Sequence, residues 1–139
     1  MFLKLYYKIW VDGLTKLRSI PANKGMWKFY SIAFISFAMA MNLALFMAIL
    51  ERNVLKHSFD LDINFFTSKK LNSFLSFFVL YFLLPLLINY FLIFRNKRYE
   101  ILITKYKSYN GKLCVTYLMI SYFLPFILIL IAVLFGLDN

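Results

Sequence analysis

The chain has 139 residues, of which 63% are hydrophobic and 21% aromatic, and it carries a formal net charge of +10. Soluble domains use roughly 45 to 50% apolar residues, spaced to match a helix or a strand; here the apolar residues run in long unbroken blocks, which excludes an ordinary water-soluble core. The composition predicts an all-α membrane protein, a single integral domain over residues 1–139, with three transmembrane helices preceded by an N-terminal amphipathic interfacial helix.

Residues 1–21, MFLKLYYKIWVDGLTKLRSIP, come first. Lys4, Lys8, Asp12 and Lys16 step down one helical face at four-residue intervals, and Leu3, Tyr6, Tyr7, Trp10, Leu14 and Leu17 occupy much of the other. Lysine outward with Trp and Tyr inward is the make-up of a helix lying in the membrane interface. Gly13 weakens it by about 1 kcal/mol, and Pro21 ends it.

The first span is 29–50. Its 22 residues at about 1.5 Å rise cover roughly 33 Å, enough for a hydrocarbon layer of about 30 Å. Ser36, Ala40, Ala44 and Ala48 repeat every four residues, a small-residue row that lets two helix backbones approach closely, within the chain or in a neighbouring subunit. The AMA triplet at Ala38–Ala40 is read as packing, because a cleavable leader has an apolar stretch of only about 7 to 15 residues.

In the outer loop, 51–71, FDLDINF alternates Phe59, Leu61, Ile63 and Phe65 with Asp60, Asp62 and Asn64, which predicts an extended segment. Calcium needs six to eight oxygens and Asp60 with Asp62 offers few, so no metal site is assigned. His57 is read as a solvated loop residue; a catalytic triad needs its groups to converge in space.

The second and third spans, 72–94 and 113–137, contain no charged residue. Each carries a related motif, YFLLP at Tyr81–Pro85 and YFLP at Tyr122–Pro125, so kinks are expected at Pro85 and Pro125. Depth along each span pairs Asn42 with Tyr81, and Asn89 with Ser121 or Tyr122. The lone Cys114 excludes an intramolecular disulfide and is read as a small apolar residue at a helix start.

Between these spans lies 95–112. Tyr99, Leu102, Ile103, Tyr106 and Tyr109 draw a stripe at helical spacing, and Asn110-Gly111 supplies a turn. The stripe belongs to a short helix, continuous with the second span or separate, that either anchors at the interface or docks a partner.

Of the 16 Lys and Arg, six precede the first span, four lie in 51–71 and six in 95–112. Loop cations mark the cytoplasmic side, which puts the N-terminus inside and the C-terminus outside. Lys4, Lys8, Lys16, Arg95, Lys97, Arg98, Lys105, Lys107 and Lys112 then form a surface for anionic lipid headgroups or a partner. Cations clustered at helix ends argue against nucleic acid.

The stretches KIWVDGL, INYFLIFRNKRYE and KYKSYNGKL resemble small, functionally unassigned three-span bacterial membrane proteins, and the resemblance implies a bacterial inner-membrane setting. With no catalytic motif and no intramembrane charge, no enzyme activity or cofactor is expected. The function expected is an accessory or scaffold subunit of an envelope complex, with a membrane-protein partner or a second copy of the chain as its companion. A self-associating pore or small carrier, and a non-catalytic subunit of a lipid- or glycolipid-handling enzyme, are the alternatives.

Overall fold

The computed structural model describes residues 1–57 and 61–136. Phe59 and Asp60 of the expected extended segment, and the predicted end of the third span at residue 137, lie outside the described residues. The chain runs through α1 (Phe2–Ser19), α2 (Trp27–Leu50), α3 (Lys69–Phe77), α4 (Leu83–Asn89), α5 (Arg98–Lys105) and α6 (Lys112–Leu134), with no strand among the described residues. Three helical stretches, Trp27–Leu55, Lys69–Lys105 and Lys112–Leu134, are long and apolar enough to cross a membrane.

The second of these stretches is not regular. Five-residue π-turns, Phe78–Phe82 and Tyr90–Phe94, flank α4. The first ends three residues before Pro85 and contains Tyr81, the residue four positions earlier whose carbonyl the proline's missing N–H and bulky ring disturb. At Pro125 α6 continues as one α-helix to Leu134, so the related motifs have different local outcomes. Asn96 (φ 54°) and Lys97 (φ 55°) take left-handed conformations and break the helix before α5. The short helix of 95–112 is therefore separate from the second span.

α2 stands between the α3–α4 arm and α6, while α1 packs against α6, α2 and α5. The core gathers at one end of the bundle: Tyr7, Trp10, Val11 and Leu14 from α1, Ile35 from α2, Ile93 after α4, Tyr99 and Leu102 from α5, and Cys114 from α6. Elsewhere the apolar stretches bury little, 22%, 17% and 6% of their most hydrophobic windows in chain order. A helix that is apolar all round has no face that water forces inward, so packing is concentrated where polar turns must be covered.

Two expectations are corrected here. The aromatic face of α1 is not laid against lipid: Trp10, Val11 and Leu14 have no exposed surface and Tyr7 only 8%, because α5, α6 and the end of the second span cover them. Likewise the stripe of α5 faces α1, with Tyr99 and Leu102 buried and Tyr106 against Tyr7 at 6.0 Å between ring centroids. Its Tyr99 and Leu102 are taken up in the core, whereas Tyr109, beyond α5, is 44% exposed. In the loop, Leu61–Phe65 has no regular structure; Asn72 accepts from the Phe66 N–H (2.7 Å) and donates to its carbonyl (2.8 Å), holding the chain just ahead of α3.

Candidate functional site: a carboxylate hub beneath a basic rim

Asp12 was expected among the outward lysines. It is instead fully buried. The Gly111 that precedes α6 has no side chain with which to cap that helix, and Asp12 supplies the cap from α1. Its Oδ2 accepts from the backbone N–H groups of Leu113 (2.8 Å) and Cys114 (3.1 Å), the second and third residues of α6. Its Oδ1 accepts from the N–H of Gly111 (3.0 Å), the N–H of Tyr109 and the Ser108 hydroxyl (3.1 Å). A carboxylate at a helix N-terminus satisfies orphan amides and faces the positive end of the dipole. Burial pushes the Asp12 pKa upward, but the Gly111, Cys114 and Tyr109 N–H groups and the Ser108 hydroxyl outweigh it and hold the pKa below the ordinary 3.8.

The neighbouring residues explain why this approach is close enough. A Cβ on Gly13 would stand 2.7 Å from Cys114 Sγ and 3.6 Å from Ile35 Cδ1, so Gly13 is the point where α1 meets α6 and α2. Gly13→Ala is expected to destabilise the fold by about 1–3 kcal/mol, the range for overpacking. Cys114→Ala in the same chain removes the sulfur and recovers part of the loss, which thermal unfolding of both variants in detergent measures. On the other side of Asp12, the Lys16 stem covers Gly111 and its ammonium donates to Asn110 Oδ1 (3.1 Å). Asn110 (φ 58°) and Gly111 (φ 83°) make the turn that the Asn-Gly pair predicted.

A second polar chain ties α1 to the interior. The Tyr6 hydroxyl donates to Asn89 Oδ1 (2.7 Å), and Asn89 Nδ2 donates to Ser36 Oγ (2.8 Å). Asn42 Nδ2 donates to Ser121 Oγ (2.9 Å) and to the Tyr117 hydroxyl (3.4 Å). The expected pairs are thus replaced: Asn42 meets Ser121 and Tyr117 instead of Tyr81, and Asn89 meets Ser36 and Tyr6 instead of Ser121 or Tyr122. The reason is that depth alone ignores which helices adjoin, and α1 enters where only three spans were counted. In the small-residue row Ser36 and Ala40 are buried, Ala44 is partly buried and Ala48 is exposed, so only its first half packs within the chain.

The cations sit around this hub. Lys4, Arg95, Lys97, Arg98, Lys105, Lys107 and Lys112 are exposed; Lys8 and Lys16 are partly buried. Lys28 Nζ lies 5.3 Å from the Trp27 ring centroid and 5.0 Å from that of Tyr99, and the two rings meet edge to face. Sequence reasoning missed Asp12, Gly13, Tyr6 and Tyr117 as contact residues. The available signal was an acid and a glycine side by side in an otherwise apolar and basic helix. Comparison with protein-family models, with curated proteins and with solved structures finds no match to this chain.

Proposed function

We propose that this chain is a non-catalytic integral membrane protein of the bacterial inner membrane, an accessory or scaffold subunit that assembles with another envelope protein. The N-terminus and the 95–112 connector lie in the cytoplasm and the C-terminus outside. The observation that carries the reading is the contrast within α6. Two N–H groups of its first turn and three donors of the turn just ahead of it bind Asp12, whereas only 6% of its most apolar window is buried within the chain. A firmly anchored helix with an open apolar surface is suited to lying beside partner helices. Cations around the anchored end support the cytoplasmic placement.

The arrangement favours this reading over a pore. Asn42, Asn89, Ser36 and Ser76 are the polar residues a path would use, and all four are engaged in hydrogen bonds within the chain. Purification in mild detergent is expected to recover a partner in fixed stoichiometry, and liposomes containing the pure protein are expected to hold a trapped dye. Leakage of the dye without a partner would overturn the proposal in favour of a pore. Reporter fusions that place the C-terminus and the 95–112 connector on one side would overturn the orientation.

A further inference from the structure

Two lysines more than a hundred positions apart line a single groove of about 510 Å³ between α1 and the start of α6. Lys8, Tyr109 and Lys112 form its polar part; Leu5, Leu113 and Thr116 supply the rest of the lining. Among the described residues neither ammonium has an acid or a hydrogen-bond acceptor. The acid one turn along α1 from Lys8 is Asp12, and both its oxygens are occupied by the Ser108 hydroxyl and four backbone N–H groups. Two other cations at this end have partners: Lys16 donates to Asn110, and Lys28 lies over two aromatic rings.

We infer that this groove is a binding site for one anionic phospholipid, its phosphodiester held between Lys8 and Lys112 and an acyl chain running along Leu5, Leu113 and Thr116. The inference deepens the membrane placement proposed above and rests on it. Lys112 is the last charged residue before the apolar run of α6, so the groove passes from a cationic rim to an aliphatic wall as a membrane passes from headgroup to chain. Because Asp12 already takes the leading amides of α6, recognition falls to the ammonium groups. A free phosphate would use the rim and leave the aliphatic wall empty.

The test uses the full chain in non-ionic detergent, titrated separately with phosphatidylglycerol and phosphatidylcholine, with bound lipid counted by native mass spectrometry. Wild type is expected to retain one phosphatidylglycerol in preference to phosphatidylcholine. Lys8→Gln with Lys112→Gln is expected to weaken that binding about 30-fold, about 2 kcal/mol at 1.4 kcal/mol per tenfold. Lys69→Gln with Lys70→Gln, which removes equal charge from exposed positions of the outer loop, is expected to leave it unchanged. If the Lys8 and Lys112 double variant fails to fold, Lys112→Gln alone, at an exposed position, carries the test with a loss of about fivefold.

Equal retention of the two lipids, an equal loss in the Lys69 and Lys70 variant, or displacement of the lipid by millimolar inorganic phosphate overturns the site. Alkaline carbonate extraction reads the placement separately. Release of the chain from membranes overturns the placement, whereas resistance combined with no lipid preference overturns the site alone.

Discussion

Asp12→Ala is expected to cost about 3–5 kcal/mol and to free the start of α6, the largest effect of any single polar substitution in this chain. The carboxylate serves five donors, and the Gly111 and Cys114 bonds are buried. Hydrogen bonds to a charged group contribute about 1.5–3 kcal/mol each, but the total falls short of their sum because the remaining amides regain water once the turn opens. Unfolding in detergent micelles followed by circular dichroism measures the loss. Hydrogen exchange is expected to rise at residues 108–114 while the far half of α6 is unchanged; an even rise along α6 would contradict a local cap.

Asp12→Asn separates charge from shape. The amide keeps an oxygen for one side of the hub, while its NH₂ faces N–H groups on the other, so about half the loss of the alanine variant is expected. The same pair of proteins gives a pH signature. The folded pKa of Asp12 lies below its ordinary 3.8, so its contribution is complete at neutral pH. As pH falls below about 3.8 the unfolded chain takes up a proton before the folded one does, and the contribution declines until pH reaches the folded value. The stability difference between wild type and Asp12→Asn is therefore expected to be flat above pH 5 and to shrink below pH 4.

Trp10→Ala is expected to cost about 3–5 kcal/mol, the range for truncating a large buried aromatic. Trp10 has no exposed surface and packs edge to face on Phe94, at 5.7 Å between centroids, and on Tyr6 at 6.5 Å. Its indole Nε1 has no hydrogen-bond partner among the described residues. Trp10→Phe is accordingly expected to cost much less than the alanine change, below about 1.5 kcal/mol, since the lost area is offset by removing an unsatisfied donor. A phenylalanine variant as unstable as the alanine one would show that the indole nitrogen has a partner that matters.

The three apolar helices were legible in the sequence because hydropathy and length are local properties. A stretch of about twenty apolar residues specifies a helix of spanning length whatever its neighbours are. The Asn110-Gly111 turn was legible for the same reason: left-handed conformations favour those two residue types wherever they occur. The composition of α1 likewise announced a helix with one lysine face, and Phe2–Ser19 is helical.

Which surfaces meet was decided only by the tertiary structure. Periodicity told which residues of α1 share a face, but lysines and an acid on one face read as solvated. Only the position of α6, about a hundred residues away in the chain, turns Asp12 inward as a helix cap. The same holds for Tyr6 with Asn89, for Trp10 among its aromatic neighbours, and for the pairing of Lys8 with Lys112. A hydropathy pattern records how strongly each segment avoids water; it carries no record of which other segment covers it, and in a membrane, where lipid covers apolar faces as readily as protein does, that choice falls to a few hydrogen bonds and close contacts.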